Sequence, residues 1–280
     1  MSALLLSEAT FVPLMLLGLW GLASLWRDRG PRRPMLVAVG TGLAMGAAIL
    51  SRPSWALFVP IVLAIWVLGS GRVAARRALV VALATAAILA PWWARNARIF
   101  GRFVPTALWV GASLLDGIGP QATGASDMEF VDEPDVRALG ESEQDSTFRA
   151  RSLAFAREHP GRVLGLAVIK LGRFWSPWPN ADTIRGPGVA AISALVTLPY
   201  FALMALGIWD RRRDLRALVL LAGPLVYFCA LHMVFVSSIR YRVPGEVPAM
   251  GLAAVGMARA LAWARLAVSD EPPGRGGIDR

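Results

Sequence analysis

The chain has 280 residues, 56% of them apolar and only 17% charged, with 29 Lys or Arg against 19 Asp or Glu and a mean hydropathy of +0.53. A soluble chain of this length would interrupt its apolar residues more often, and a basic nucleic-acid binder would carry its arginines as a stripe on a soluble fold. Here the apolar residues gather in blocks of roughly 15 to 23, about what a helix needs to cross a hydrocarbon core of ~30 Å, and unpaired backbone groups are too costly in lipid for such blocks to be other than helical.

The first block, 3–26, stops at Arg27-Asp28-Arg29-Gly30-Pro31-Arg32-Arg33. Glu8 interrupts it and no Lys or Arg precedes that residue, which is unlike a cleavable signal peptide. Blocks 35–50 and 54–68 are separated by Ser51-Arg52-Pro53, and a basic gap with Arg72, Arg76 and Arg77 precedes block 78–91. Residues 35–68 could form one broken helix or two short ones. Placing both basic gaps on the cytoplasmic side requires an even number of crossings between them, so two helices are expected. After a long polar segment come blocks 189–208, 215–236 and 243–266, the first two divided by Arg211-Arg212-Arg213. The expectation is an all-α polytopic membrane protein of about seven crossings, its amino terminus outside and its carboxyl terminus cytoplasmic. Four helices occupy 1–94, an extracytoplasmic segment 95–186, three helices 187–268, and a disordered tail 269–280.

The polar segment is electrically neutral: between Trp92 and Pro187 eleven basic residues meet eleven acidic ones, while the rest holds 18 basic against 8 acidic residues and carries the whole +10. Its glycine-rich part, 111–124, reads as coil, and 127–145 is acidic. From about Ser146 apolar and basic residues mix in an amphipathic helix ending at His159-Pro160-Gly161, and a second helix begins near Arg162. Such helices lie in the headgroup plane with arginines toward phosphate, and Trp175, Trp178 and Tyr200 are placed like interfacial anchors. The lone Cys229 lies in an apolar run and can form neither an internal disulfide nor a thiolate cluster.

Several short stretches carry a resemblance. They are Leu6-Ser7-Glu8; Ser51-Arg52-Pro53; Pro91-Trp92-Trp93-Ala94-Arg95-Asn96 through Phe100-Gly101-Arg102-Phe103-Val104-Pro105; Arg157-Glu158-His159-Pro160-Gly161-Arg162; and Arg240-Tyr241-Arg242-Val243-Pro244-Gly245-Glu246. In this order the chain resembles the carboxyl-terminal part of a bacterial membrane glycosyltransferase that uses polyprenyl-phosphate sugars, of the protein mannosyltransferase and lipid A aminoarabinose transferase type. The resemblance implies a GT-C-like fold lacking its first helices. It implies transfer of a sugar from an isoprenoid phosphate to a glycan, lipid or protein acceptor outside the bacterial cytoplasmic (inner) membrane. The family places its catalytic acid in a first outer loop that has no counterpart here, so the catalytic residue is unknown. The resemblance then implies one of three cases: a truncated portion of the enzyme, a chain working with a partner polypeptide that supplies that region, or a chain that is not an active enzyme.

Such chemistry needs cations to hold the leaving phosphate as negative charge develops, and arginine's rigid fork suits that task. Arg240 and Arg242, flanking Tyr241 near Glu246, are the first candidates for donor-phosphate binding; Arg95 and Arg98, beside Asn96, are the second and Arg52 the third. Each could instead snorkel at the interface, and Arg52 could pair with Glu8 or Glu246. Lys170 and Arg173 are placed to touch a headgroup or ordinary lipid. Asp116, Asp127, Glu129, Asp132 and Glu133 are further acids, more simply read as a solvated face. His159 and His232 stand far apart, so no metal site or other cofactor is evident and no nucleic acid is expected. A non-catalytic membrane subunit, or a lipid or glycan transporter, remains the alternative function.

Overall fold

The computed structural model describes residues 7–27, 31–181 and 186–269, with side chains through 266. The expected disordered tail lies outside the described residues apart from Ser269. All regular structure among the described residues is helical, and six stretches are long and apolar enough to cross a membrane. This is the make-up of a membrane-embedded helical protein.

The first two helices, α1 (Ser7–Leu25) and α2 (Pro34–Ser51), pack through small residues: a Cβ on Gly21 would meet the Thr41 side chain and one on Gly18 would meet Met45. In lipid, where apolar side chains gain little by leaving their surroundings, such close backbone approach is a main source of helix association. The third helix, α3 (Phe58–Phe100), has 43 residues but is broken at Gly71 (φ 72, ψ −155), a conformation open essentially only to glycine. Its two parts double back on one another. Val59 and Trp93 line the same cleft, whereas an unbroken helix rising 1.5 Å per residue would hold them about 50 Å apart. The second part packs on α2, where Gly42 and Gly46 face the Val81 and Thr85 carbonyls and Thr85 Oγ1 donates to Gly42 O at 3.1 Å. Expected blocks 54–68 and 78–91 are thus these two parts. The helix runs past residue 94 to Phe100, where Gly101 ends it in the left-handed region (φ 63).

The polar segment is more ordered than its composition implied. Of residues 111–124, expected as coil, 119–124 are non-helical and 111–118 belong to a helix, α4 (Val110–Ile118). Its glycines are packing positions: a Cβ on Gly111 would strike Asp145 O and one on Gly117 would strike Val234 O. A short turn of helix, α5 (Pro134–Arg137), leads to α6 (Glu141–Glu158), which begins five residues before the expected Ser146. Pro160, pre-set for the first helical position, opens α7 (Pro160–Phe174).

The last membrane stretch starts with α8 (Pro187–Asp210). Then α9 (Leu215–Ala217) passes through a π-helical turn at Leu218–Ala222 into α10 (Gly223–Val234). Pro224 has no N–H to offer the carbonyl four residues back, and the Gly223 N–H reaches five residues back to Leu218 O. The final helix, α11 (Ile239–Ser269), lies against α8 backbone to backbone. A Cβ on Gly207 would sit 1.8 Å from Leu252 O, and one on Gly256 1.9 Å from Leu203 O. An aromatic cluster ties this half to the first: Trp55 stacks on Phe58 at 4.0 Å and packs against Phe11, Tyr227 and Phe228, and the Tyr227 hydroxyl donates to the Ser54 carbonyl.

Candidate functional site

Three chain segments meet above this aromatic cluster. Glu8 stands in the first turn of α1. Arg52 occupies the link after α2, extended (φ −144, ψ 94) as a residue before proline must be. Arg240 lies at the start of α11. Arg52 Nη1 donates to Glu8 Oε1 at 3.0 Å and its Nε to Ser54 Oγ at 3.2 Å, while its guanidinium sits over the rings of Phe228, Phe11 and Tyr241 at 5.3, 5.7 and 5.8 Å. Arg240 approaches the same carboxylate, Nε 3.3 Å from Oε1 and Nη2 3.5 Å from Oε2. Arg52 is buried; the Arg240 side chain is 57% exposed. Two cations share one anion, which leaves a positive charge at the rim and Arg240 N–H groups turned outward.

Arg242 does not join them. Residues two apart on a helix point about 200° from each other, and with α11 beginning at Ile239 the two arginines face opposite ways. Arg242 is buried, its Nη1 donating to Phe174 O (2.7 Å) and Ser176 O (2.9 Å). Its Nε lies 2.7 Å from Glu246 Oε1, an ion pair whose N–H is not aimed at the oxygen. The guanidinium covers Phe201 at 4.9 Å. Arg242 and Glu246 therefore lock the end of α7 and the start of α11 together, and Tyr200 assists by donating to the Glu246 carbonyl at 3.2 Å. The four-residue spacing of Arg242 and Glu246, one helical turn, was the available signal.

Tyr241 stacks on His232 at 4.3 Å. His232 Nδ1 is 2.7 Å from Val236 O. A carbonyl only accepts, so Nδ1 carries a proton, and Nε2 is buried without a hydrogen-bond partner. Trp55 Nε1, on the other side of Phe228, is buried without a partner as well. No feature of the sequence singled out this pair.

Arg95 lies exposed at the end of α3, over the Trp92 ring at 5.2 Å and donating to the buried Asn96 Oδ1 at 3.0 Å; no described contact joins it to Glu8. Lys170 is fully buried rather than at a headgroup, its Nζ donating to Gly117 O at 3.0 Å and Val234 O at 2.6 Å. Burial pushes its amine down to about 8, only partly opposed by the Asp116 charge. Arg173 Nε donates to Ser237 O at 3.0 Å. Trp175 is likewise turned inward, packing edge-on against Phe201, whereas Trp178 stays exposed. Among the acids, Asp116, Asp127 and Glu133 line one cleft of about 320 Å³ with Arg151 and Glu158, and Glu129 and Asp132 lie outside it. Burial raises the Asp116 carboxyl above its usual range, against the Asp127 N–H and Ser126 hydroxyl that favour its charged form. Among the described residues no three His, Cys, Asp or Glu side chains are grouped to hold a metal ion.

No family model, curated protein or solved structure matches this chain.

Proposed function

We propose that the chain is a membrane glycosyltransferase, or a portion of one, that transfers a sugar from a polyprenyl-phosphate donor to an acceptor outside the bacterial cytoplasmic membrane. The observation that supports it is the convergence of Arg52 and Arg240 on Glu8 at the mouth of three apolar helices. A cluster with one more cation than anion, one arginine of which is largely exposed, suits a phosphate held at the membrane surface. Arg240 contacts the phosphate, Arg52 fixes Glu8, and Arg242 supports the fold around them. Arg95 and Arg98 form a second basic position at the end of α3.

The break at Gly71 supports reading α3 as two antiparallel crossings, which would make seven in all. Arg27, Arg32, Arg33, Arg72, Arg76, Arg77 and Arg211–Arg213 then lie on the cytoplasmic side and residues 101–181 outside. Cysteines placed at Asp132 and Arg212 should react with impermeant reagents from opposite sides. Labelling of both from one side overturns the topology.

A specific observation favours the rival reading of a non-catalytic subunit or transporter: both arginines hold Glu8 as a counter-ion, so the carboxylate at the mouth is not free to act as a base. Binding and turnover of a short-chain polyprenyl-phosphate sugar separate the two. A charge-assisted phosphate contact is worth about 1.5–3 kcal/mol, so Arg240→Gln should weaken donor binding roughly 10- to 150-fold. Arg240→Lys should fall between, and Arg259→Lys at the far end should bind as wild type. Unchanged affinity in Arg240→Gln sinks the site; retained binding without turnover selects the non-catalytic reading.

A further inference from the structure

We infer that the far end of the bundle holds a second anion site, which takes the phosphodiester headgroup of an anionic membrane phospholipid. Glu8 and Trp26 stand at opposite ends of α1, about 27 Å apart along its axis, so the two sites are separated by roughly a hydrocarbon core. At the Trp26 end a cleft of about 510 Å³ opens between two walls. One wall is Trp26 with Gly69 and Ser70, just before the turn at Gly71; the other is the corner between α8 and α9, with Arg211, Arg213 and Arg216.

The carboxylates in this cleft are already engaged. Asp210 pairs with Arg211 at 3.5 Å and with Arg259 at 3.9 Å, and Asp214 caps α9 by accepting from the Ala217 N–H at 3.1 Å. Among the described residues Arg213 has no ion-pair partner. Arg77, donating to Leu25 O at 3.2 Å, adds another cation beside Trp26. Among the described residues cations outnumber anions here, and the guanidinium forks of Arg211 and Arg213 with the Ser70 hydroxyl supply donors for phosphate oxygens.

A second feature makes the ligand a lipid rather than a free ion. Leu215, 54% exposed, lines the cleft, and the exposed Leu68 (87%) and Trp209 (65%) directly precede its lining residues Gly69 and Asp210 in the chain. Basic recesses between membrane helices with an apolar flank accept a headgroup while the acyl chains lie along that flank. The inference is independent of any transferase activity.

The full chain, purified in mild detergent, would be examined by native mass spectrometry for retained phosphatidylglycerol, with phosphatidylcholine and inorganic phosphate as competing probes. Preferential retention of phosphatidylglycerol is expected, with about ten-fold or greater weakening in Arg213→Gln and in Arg211→Gln. Arg213→Lys should be intermediate because it keeps the charge and loses the fork. Arg157→Gln in α6 should retain lipid as wild type. Arg213 is exposed, so its replacement tests binding without endangering the fold. Equal retention of the two lipids, or undiminished phosphatidylglycerol in Arg213→Gln, overturns the site. Full displacement by inorganic phosphate at the lipid's own affinity overturns the lipid assignment.

Discussion

Replacing Gly207 by alanine tests how the carboxyl-terminal helices are joined. The new Cβ would stand 1.8 Å from Leu252 O, far inside an ordinary contact, and the reciprocal approach at Gly256 is as close, so α8 and α11 must move apart by more than about 1 Å. Overpacking of this kind costs about 1–3 kcal/mol. Separation also stretches the Tyr200–Glu246 hydrogen bond, worth about 1 kcal/mol, while alanine recovers up to about 1 kcal/mol of helix propensity. A net loss of about 1–3 kcal/mol follows. The loss is concentrated because Met204 and Gly207 are the buried residues of α8. The assay is thermal or denaturant unfolding in detergent, followed by tryptophan fluorescence. Gly188→Ala is the control, since nothing lies within 4 Å of a Cβ there, and it should be neutral or slightly stabilising. Equal stability of Gly207→Ala and wild type would refute the backbone contact.

Lys170→Met strands the buried Gly117 carbonyl and takes a donor from the Val234 carbonyl, and should loosen the α4–α7 region by about 1–3 kcal/mol, read by faster amide exchange there and not in α2. Because the folded amine titrates near 8 and the unfolded one near 10.5, the charged form opposes folding below pH 8 and stability rises as pH increases from 8 to 10.5; Lys170→Met should abolish that rise, and a flat wild-type profile over the range would contradict it. Glu8→Gln leaves the buried Arg52 short of its anion and should cost about 2–4 kcal/mol in unfolding measurements, with the apolar pair Glu8→Leu and Arg52→Met together recovering most of it. Asp116→Asn gives up one of two acceptor contacts and should cost about 1–2 kcal/mol locally, seen as faster proteolysis within 119–128.

The membrane helices were legible in the sequence because hydropathy acts over whole blocks and does not depend on what each block touches. Pairing of Arg52 with Glu8 was open to the same reasoning, since a charge near hydrocarbon needs a partner. Other readings failed where neighbours in sequence part company in space. Arg240 and Arg242 look like a matched pair, yet the helix turns one outward and buries the other. The glycines of 111–124 look like coil, but at Gly111 and Gly117 the absent side chain admits another backbone. Lys170 shares its helix face with Leu166 and Phe174, all three buried, and its carbonyl partners lie 53 and 64 residues away, where no local pattern can announce them.

The chain contains a single lysine, and that residue is the one bridging α4, α7 and α10. A lysine-specific protease, or an amine-directed label applied after the α-amino group has been chemically blocked, therefore has one target, and the target is sealed whenever the polar segment is seated on the membrane helices. Cleavage at Lys170 becomes a clock for the undocking of that segment, with no engineered probe, and its rate with and without a bound donor would show whether the two motions are coupled.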